Sequence, residues 1–312
     1  MISKKDIELA ATRIKPYVHN TPVLSSSQLN SLLDSEVYFK CENFQKVGAF
    51  KARGAFNFAL QTPESLRSKG LCTHSSGNHA QAVALAAKTL GTTAYIVMPK
   101  NAPLVKIDAV KSYGAKITFC EPNLKARETT LNNIQTETNA VFVPPYDHEF
   151  IITGQATAAK ELVESYPGLD TIICPVGGGG LLAGTALSAL LFGNNVKVFG
   201  SEPSGADDAK QSFDAGELIP SVQPDTIADG LLTSLGTTNF PIIQEHVKDI
   251  LTVDDSEIIT AMRLIWERMK LIIEPSAAVP LAALIKNKSQ FNHRKVGIIL
   301  SGGNIDLGKS YF

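Results

Sequence analysis

Residues 171–190 have the sequence TIICPVGGGGLLAGTALSAL, and this stretch decides the fold class. Its first six residues are a short apolar run, rich in isoleucine and valine, of the kind that forms a buried strand. Gly177, Gly178, Gly179 and Gly180 follow at once, and the next residues are apolar with helical spacing. A buried strand, a glycine turn and a buried helix in direct succession indicate one unit of a parallel α/β sheet.

The same alternation extends over nearly the whole chain. Short β-branched runs predict strands at residues 37–41, 94–98, 116–120, 141–144, 171–176, 196–200 and 296–300. Helical spacing of apolar residues predicts helices at residues 81–90, 103–113, 157–165, 181–191 and 258–269. No linker divides the chain, so a second domain must be an insertion. We predict an α/β fold in which residues 1–67 and 148–312 form a large parallel-sheet domain, and residues 68–147 form a smaller inserted α/β domain.

Composition narrows the class of ligand. The chain has 312 residues, of which 44% are hydrophobic and 19% are charged, with a formal net charge of −1. Without a run of like charges, nucleic acid and membrane surfaces are not expected partners, and the ligand should be small. The start of the chain is charged and no apolar run approaches the roughly 20 residues of a membrane span, so we expect a cytoplasmic protein. Four cysteines without a CxxC pair predict reduced, buried thiols.

The four glycines predict an anion site. Glycines at the start of a helix leave backbone N–H groups uncovered, which suits a phosphate dianion. Neither GxGxxG nor a P-loop lysine is present, so a small monophosphate fits better than a nucleotide. A merely flexible turn is the alternative interpretation.

A second candidate is Lys51 in the stretch GAFKARGA, residues 48–55. Partial burial beside Phe50 and Ala52 would lower the pKa of its amine and leave it able to react with an aldehyde near neutral pH. Taken alone, the octapeptide also fits a solvated surface lysine.

Three further loops carry polar groups where strands end. The stretch THSSGNHAQ, residues 73–81, offers hydroxyls, an amide and main-chain donors to a carboxylate, although Ser75 or Ser76 could simply cap the next helix. Ser301 follows the last strand, where its hydroxyl could meet a ring nitrogen. Glu202 and Asp208 could offer oxygen atoms to a hard divalent cation, with a backbone carbonyl completing the shell, or could be merely solvated.

Taken together and in this order, GAFKARGA, SSGNHAQA, GGGGLLAG, SEPSGADD and LSGGN resemble the fold-type-II pyridoxal-phosphate (PLP) enzymes. The resemblance is strongest to the serine racemase and serine/threonine dehydratase (ammonia-lyase) family, whose fold is similar to the tryptophan synthase β chain. The five motifs cover positions 48 to 304. Their joint occurrence is far more specific than any one of them.

The resemblance implies a role for each candidate residue. Lys51 would carry PLP through a Schiff base and act as the catalytic base, with Ser76 as the second catalytic acid/base. The implied cofactor contacts are Phe50 with the ring, Asn78 with the ring hydroxyl, Ser301 with the pyridine nitrogen, and Gly177, Gly178, Gly179 and Gly180 with the phosphate. The residues implied around the substrate carboxylate are Ser75, Ser76, Asn78, His79 and Arg127. Glu202, Asp208 and the carbonyl of Ala206 fall where the family binds Mg²⁺ or Ca²⁺.

The implied activity is removal of the α-proton from a β-hydroxy amino acid. The proton is then returned, as in serine racemase, or water is eliminated to give a 2-oxo acid and ammonia, as in L-serine and L-threonine ammonia-lyase. Related dehydratases often have SAGNH where this chain has SSGNH, so Ser76 favours racemase competence. The alternatives are a threonine dehydratase or 3-hydroxyaspartate ammonia-lyase without significant racemase activity, and, in another class, a non-catalytic binding protein with a two-domain cleft.

The resemblance also bears on partners and regulation. It implies a homodimer acting on a small amino acid. The family's racemases bind ATP at a subunit interface, but Val47 follows Lys46 where a hydroxyl residue is common, which argues against ATP as an activator. The chain ends at Phe312, so we do not expect the regulatory domain of biosynthetic threonine dehydratases.

Overall fold

The strands of the protein form two separate sheets. A computed structural model describes residues 2–312. Its strands are β1 (Val23–Leu24), β2 (Glu36–Cys41), β3 (Leu71–His74), β4 (Ala94–Pro99), β5 (Lys116–Cys120), β6 (Val141–Phe142), β7 (Thr171–Pro175), β8 (Lys197–Pro203), β9 (Asp249–Val253) and β10 (Lys295–Leu300). The larger sheet has the order β1-β2-β10-β7-β8-β9, and the smaller one has the order β5-β4-β3-β6.

The last strand lies in the middle of the larger sheet. In β10, Val296 pairs in parallel with Val37 of β2 on one side and with Thr171 of β7 on the other. Only β1 runs antiparallel to its neighbour. Both ends of the chain therefore build the larger sheet, while residues between 71 and 142 supply the smaller one. The predicted parallel α/β class is confirmed, and the exact domain bounds at 68–147 stay a prediction.

Three strands were not predicted from the sequence. They are the two-residue β1, the four-residue β3 and the edge strand β9. The first two are too short to show a period of two, and β9 begins with the polar Asp249 and contains Thr252. Short strands of this kind are recruited by pairing with neighbours, which a local pattern does not reveal.

Helices cover both sheets. They are α1 (Lys4–Ile14), α2 (Ser27–Leu33), α3 (Lys51–Gln61), α4 (Glu64–Arg67), α5 (Asn78–Thr89), α6 (Leu104–Ser112), α7 (Leu124–Thr138), α8 (Glu149–Ser165), α9 (Gly180–Phe192), α10 (Asp208–Ala215), α11 (Asn239–His246), α12 (Asp255–Leu264), α13 (Pro275–Lys286) and α14 (Lys288–Phe291). The predicted helix at 157–165 is only the second half of α8, whose start is capped by the side chain of His148. No helix among residues 2–312 has the length and apolar character needed to cross a bilayer.

Glycines allow the three helices α3, α8 and α9 to pack closely against one another. A Cβ on Gly154 of α8 would lie 2.7 Å from the Cα of Gly54 in α3. A Cβ on Gly184 of α9 would lie 2.7 Å from the backbone nitrogen of Ala156 in α8. Contacts this short leave no room for any side chain, so α8 is held directly against both α3 and α9. The close packing fixes the start of α3, where Lys51 lies.

A buried ion cluster also holds α3. The guanidinium of Arg53 contacts Glu42 through Nε at 2.7 Å and Glu161 of α8 through Nη1 at 2.7 Å, and Lys40 of β2 contacts the same Glu161 at 2.6 Å. Burial by itself would raise the pKa of Glu42, but the adjacent Arg53 outweighs it and lowers that pKa. All four cysteines are free and buried, as expected.

Candidate active site

The amine of Lys51 is largely enclosed by the protein. Lys51 is the first residue of α3, and its Nζ donates a hydrogen bond to the carbonyl oxygen of Pro145 at 2.7 Å. The same Nζ is 5.2 Å from the centroid of the Phe50 ring. Burial lowers the pKa of Lys51 to about 8, and the charge of Glu274 acts in the opposite direction. An amine with this pKa is roughly a tenth neutral at pH 7, far more than an ordinary lysine, and the neutral amine is the form that attacks a carbonyl carbon.

The four glycines form a cradle at the start of α9. Gly179 is the N-cap and has φ of +91°, a conformation that favours glycine. A Cβ on Gly178 would collide with the ring of Tyr146, and a Cβ on Gly180 would lie 2.9 Å from the carbonyl oxygen of Tyr146. Within residues 2–312, the backbone N–H groups of Gly178 and Gly179 donate to no protein acceptor. A cradle of free N–H groups without side chains fits the phosphate of PLP.

The hydroxyls of Ser75 and Ser76, in the loop after β3, differ in their hydrogen bonding. The hydroxyl of Ser75 accepts a hydrogen bond from the N–H of Gly77 at 3.3 Å. Gly77 is the N-cap of α5 and no side chain caps that helix, so neither serine has the capping role that the sequence left open. The half-buried Ser76 has no side-chain partner among the described residues. Its hydroxyl is therefore available to a ligand.

His79 is kept neutral. Its Nε2 lies 2.9 Å from the carbonyl oxygen of Val143, and because a carbonyl only accepts, Nε2 carries the proton. Burial lowers the pKa of His79 to about 3, and the nearby Lys51 lowers it further. A neutral imidazole therefore lies close to the Lys51 amine.

Asn78 is held on both sides. Its Nδ2 donates to the carboxylate of Glu274 at 2.8 Å, and its Oδ1 accepts from the side chain of Asn304 at 2.8 Å. Glu274 is fully enclosed, and burial raises its pKa to about 7, with Asp229 raising it further. Glu274 was not among the residues predicted from the sequence, although an acidic residue directly after the apolar run LII was a usable signal.

Ser301 lies beside the residues that precede Lys51. Its carbonyl oxygen accepts a hydrogen bond from the N–H of Phe50 at 3.0 Å, and Gly302 forms an isolated bridge with Ala49. Ser301 itself is buried. The structure thus brings the end of β10 next to the residue that precedes Lys51.

Arg127 approaches from the smaller sheet. It lies on α7, and its Nε is buried without a partner in the described part of the chain. Burial lowers the pKa of His74, and the charge of Arg127 lowers it further, so Arg127 lies near the end of β3. A cationic donor without a partner therefore adjoins the loop that carries Ser75 and Ser76.

The two acidic residues Glu202 and Asp208 lie near the end of β8 and at the start of α10. Glu202 accepts hydrogen bonds from the N–H groups of Ala209 and Lys210 at 3.3 and 2.5 Å. Burial raises the pKa of Glu202 to about 9 and that of Asp208 to about 6. One carboxylate oxygen of Asp208 is buried without a partner in the structure. Two desolvated carboxylates with an unpaired oxygen fit a hard cation, although no cluster of three His, Cys, Asp or Glu side chains suited to a metal occurs in residues 2–312.

Comparisons with known proteins agree with this geometry. The family model described as pyridoxal-phosphate dependent enzyme matches residues 14–302. The chain is 48% identical to the serine racemase of Dictyostelium discoideum, over 98% of this chain and 96% of that protein. It is 47% identical to the L-threo-3-hydroxyaspartate ammonia-lyase of Saccharomyces cerevisiae, over 97% of this chain and 93% of that protein. The structure of maize serine racemase superposes with a TM-score of 0.95 at 44% identity, covering 97% of this chain and 94% of that one.

Proposed function

The chain belongs to the pyridoxal-phosphate dependent enzymes, and from this premise we propose that it acts as a serine racemase and L-serine/L-threonine ammonia-lyase. The observation that carries the proposal is the Lys51 amine, whose pKa is about 8 and which lies near His79 at the start of α5, where the loop before the helix carries the unpartnered hydroxyl of Ser76. The strong resemblance to serine racemases, including a relative at 48% identity, supports it.

Each cofactor contact has a physical basis in the chain. Bound PLP supplies an electron sink for the charge that develops at the substrate α-carbon. Lys51 would hold its aldehyde carbon, and Phe50 would pack on its ring. Asn78, fixed between two partners, would meet the ring hydroxyl. The glycine cradle would bind the phosphate, and Ser301 would meet the ring nitrogen. A neutral hydroxyl there protonates the ring only weakly, which favours elimination or reprotonation over transamination.

Proton transfer is assigned to Lys51 and Ser76. With its amine free, Lys51 would act as a base and take the substrate α-proton at Nζ. Returning a proton to the other face requires a second group, because one lysine does not serve both faces readily. Ser76 has a hydroxyl free for that role. His79 stays neutral and would orient the substrate rather than exchange its proton.

The substrate carboxylate would lie in the loop after β3. Ser75, Ser76, Asn78 and His79 present hydroxyl, amide and imidazole groups there, and Arg127 adds a charged donor whose Nε has no protein partner within residues 2–312. Charge-assisted hydrogen bonds to a carboxylate are stronger than neutral ones. Arg127 would therefore supply the main electrostatic attraction for the substrate.

A 3-hydroxyaspartate ammonia-lyase is the second candidate. The specific observation is that two relatives with this type of name, from Saccharomyces cerevisiae and Paracoccus denitrificans, are 47% and 45% identical to the chain. These values nearly equal those of the serine racemases. Activity on L-threo-3-hydroxyaspartate in the absence of D-serine formation would favour this candidate.

The replacement of Ser76 by alanine tests the two-base assignment. Ser76→Ala should reduce D-serine formation from L-serine by at least about a hundredfold, because one acid/base group is worth that much. Release of 2-oxo acid from L-serine, L-threonine and L-threo-3-hydroxyaspartate should persist, since Lys51 suffices for it. Ser68→Ala, at an exposed serine outside the site, is the control. D-serine formation that survives in Ser76→Ala would refute the assignment.

We also propose that Glu202, Asp208 and the carbonyl of Ala206 bind Mg²⁺ or Ca²⁺. The cation would neutralise two buried carboxylates and stabilise the fold without taking part in proton transfer. A site occupied at a hundredfold excess over its Kd adds about 2.7 kcal/mol of stability. Chelator should therefore lower the thermal midpoint by several degrees, and Asp208→Asn should abolish that response, whereas the exposed Asp214→Asn should not. Identical melting curves with and without chelator would exclude the cation.

Three further expectations stay predictions. They are a homodimer, a cytoplasmic location, and no activation by ATP because Val47 lacks a hydroxyl. Sedimentation of the purified protein tests the first, localisation of a tagged chain tests the second, and assays with and without Mg·ATP test the third.

A further inference from the structure

We infer that Asn239 is a positioning residue that sets the direction of the peptide between Gly178 and Gly179, and thereby aims the glycine cradle at the cofactor phosphate. The inference rests on the proposal that residues 177–180 hold that phosphate. The side chain of Asn239 lies outside these four residues, yet it would fix the conformation of their backbone.

The carbonyl of Gly178 is held by two donors from one segment. Asn239 is fully buried at the start of α11, and its Nδ2 lies 2.6 Å from the carbonyl oxygen of Gly178. The backbone N–H of Gly236 donates to the same oxygen at 3.1 Å. The Nδ2 of Asn239 also lies 3.4 Å from the carbonyl oxygen of Tyr146, so two carbonyl oxygens define which side of the amide carries the nitrogen.

A planar trans peptide turns this restraint into a direction. The C=O of one residue and the N–H of the next lie in the same peptide plane and point in opposite directions within it. With the Gly178 oxygen bound to α11, the N–H of Gly179 must point away from α11. The left-handed conformation of Gly179, with φ of +91°, then leads into the first turn of α9, whose N–H groups have no intrahelical partners.

The start of α11 is itself firmly anchored. The carboxylate of Asp147 accepts hydrogen bonds from the N–H groups of Thr237 and Thr238 at 2.9 and 2.8 Å. A side chain at Gly236 would collide with the same carboxylate. Two residues before Asp147, the carbonyl of Pro145 accepts from Lys51. The short segment 145–147 therefore positions the Lys51 amine directly, and it positions the glycine cradle through the start of α11 and Asn239.

Replacement by leucine tests this role with little change in shape and no new charge. In Asn239→Leu the donor nitrogen is gone, so both of its hydrogen bonds are lost and only the N–H of Gly236 still holds the Gly178 oxygen. The loss of one such bond corresponds to about a tenfold change in an equilibrium constant. The Kd of the apoenzyme for PLP, measured from visible absorbance, should rise about tenfold. The Kd for pyridoxal, which has no phosphate, should change less than twofold.

Asn287→Leu is the matched control. The amide of Asn287 donates to the carbonyl oxygen of Ala283 at 2.9 Å, at the end of α13 remote from Glu274. This variant loses a comparable amide-to-carbonyl bond and should bind PLP and pyridoxal like the unmodified chain. If the leucine at position 239 prevents folding, Asn239→Ser is used instead and should show the same selective loss.

The outcomes separate the two levels of the proposal. Equal weakening of PLP and pyridoxal, or no weakening of either, would overturn the role of Asn239. Gly179→Ala disturbs the cradle directly and should abolish the preference for PLP over pyridoxal. If it does so while the Asn239 variants keep the preference, only the positioning role fails. If Gly179→Ala keeps the preference, the phosphate site at 177–180 is wrong, and this inference fails with it.

Discussion

At the scale of single residues, the reactivity of Lys51 depends on two opposing effects. Enclosure in the protein lowers the pKa of its amine, and the carboxylate of Glu274 partly counters that shift. The sequence identified the lysine from its neighbours Phe50 and Ala52. Its charge partner lies more than two hundred positions further along the chain, so local sequence could not reveal it.

Uptake of PLP by the apoenzyme should therefore depend on pH. Only the neutral amine reacts, and since its pKa is about 8, the uptake rate should rise with pH up to about 8 and level off above it. In Glu274→Gln the negative charge that favours the ammonium form is gone, so the midpoint should move to lower pH. Stopped-flow absorbance measures the rate.

The exposed Glu267→Gln is the control for this shift, because it removes one negative charge at a position outside the site. A midpoint in Glu274→Gln that equals that of the control would show that Glu274 does not act on Lys51.

At the scale of elements, the ion cluster around Arg53 joins α3 to α8 and to β2. Arg53 and Glu42 are both fully buried. A buried ion pair contributes little net stability relative to an apolar pair, but removing one partner leaves an uncompensated charge. The cluster therefore acts as a constraint on where α3 can lie, and with it Lys51.

Glu42→Gln should cost about 3–5 kcal/mol of unfolding free energy, because Arg53 would keep a buried charge with one partner fewer. Urea denaturation measures it. Glu164→Gln on the exposed face of α8 breaks an i,i+4 pair with Lys160 and should cost less than about 0.5 kcal/mol. A loss in Glu42→Gln as small as in this control would contradict the role of the cluster.

At the scale of the whole molecule, an ion pair connects the parts that carry the two sheets. Lys106 of α6 contacts Asp229, which lies in the turn Asp229–Leu231 between α10 and α11. Asp229 raises the pKa of Glu274 and Lys106 lowers it, so the pair lies near the enclosed carboxylate in the site. The Lys106–Asp229 pair therefore joins the part that carries the smaller sheet to the part that carries the larger sheet, close to Glu274.

Lys106→Met should raise KM for the amino acid up to about fivefold, the upper range for a partly exposed ion pair, and leave PLP affinity unchanged. The KM of the unmodified enzyme should also rise with NaCl, and that dependence should weaken in the variant. Lys111→Met, which removes an exposed i,i+3 pair with Asp108 on the same helix, serves as control. Equal KM values in Lys106→Met and the control would refute this role of the pair.

The sequence by itself determined the features that depend on neighbouring residues. The alternation of strands and helices follows from apolar periodicity, the glycine cradle from four consecutive glycines after a strand, and the candidate lysine from its apolar neighbours. The five ordered motifs then identified the family, which the comparisons confirm.

Only the tertiary structure decided which distant side chains meet. Tyr146 covers the glycine cradle, Asn239 binds its carbonyl, and Glu274 faces both Lys51 and Asn78. These contacts exist because β10 inserts between β2 and β7. This order brings the segments that follow strands from both ends of the chain to the carboxyl ends of neighbouring strands in the larger sheet. Strand order is set by packing and long-range pairing, and no local pattern encodes it.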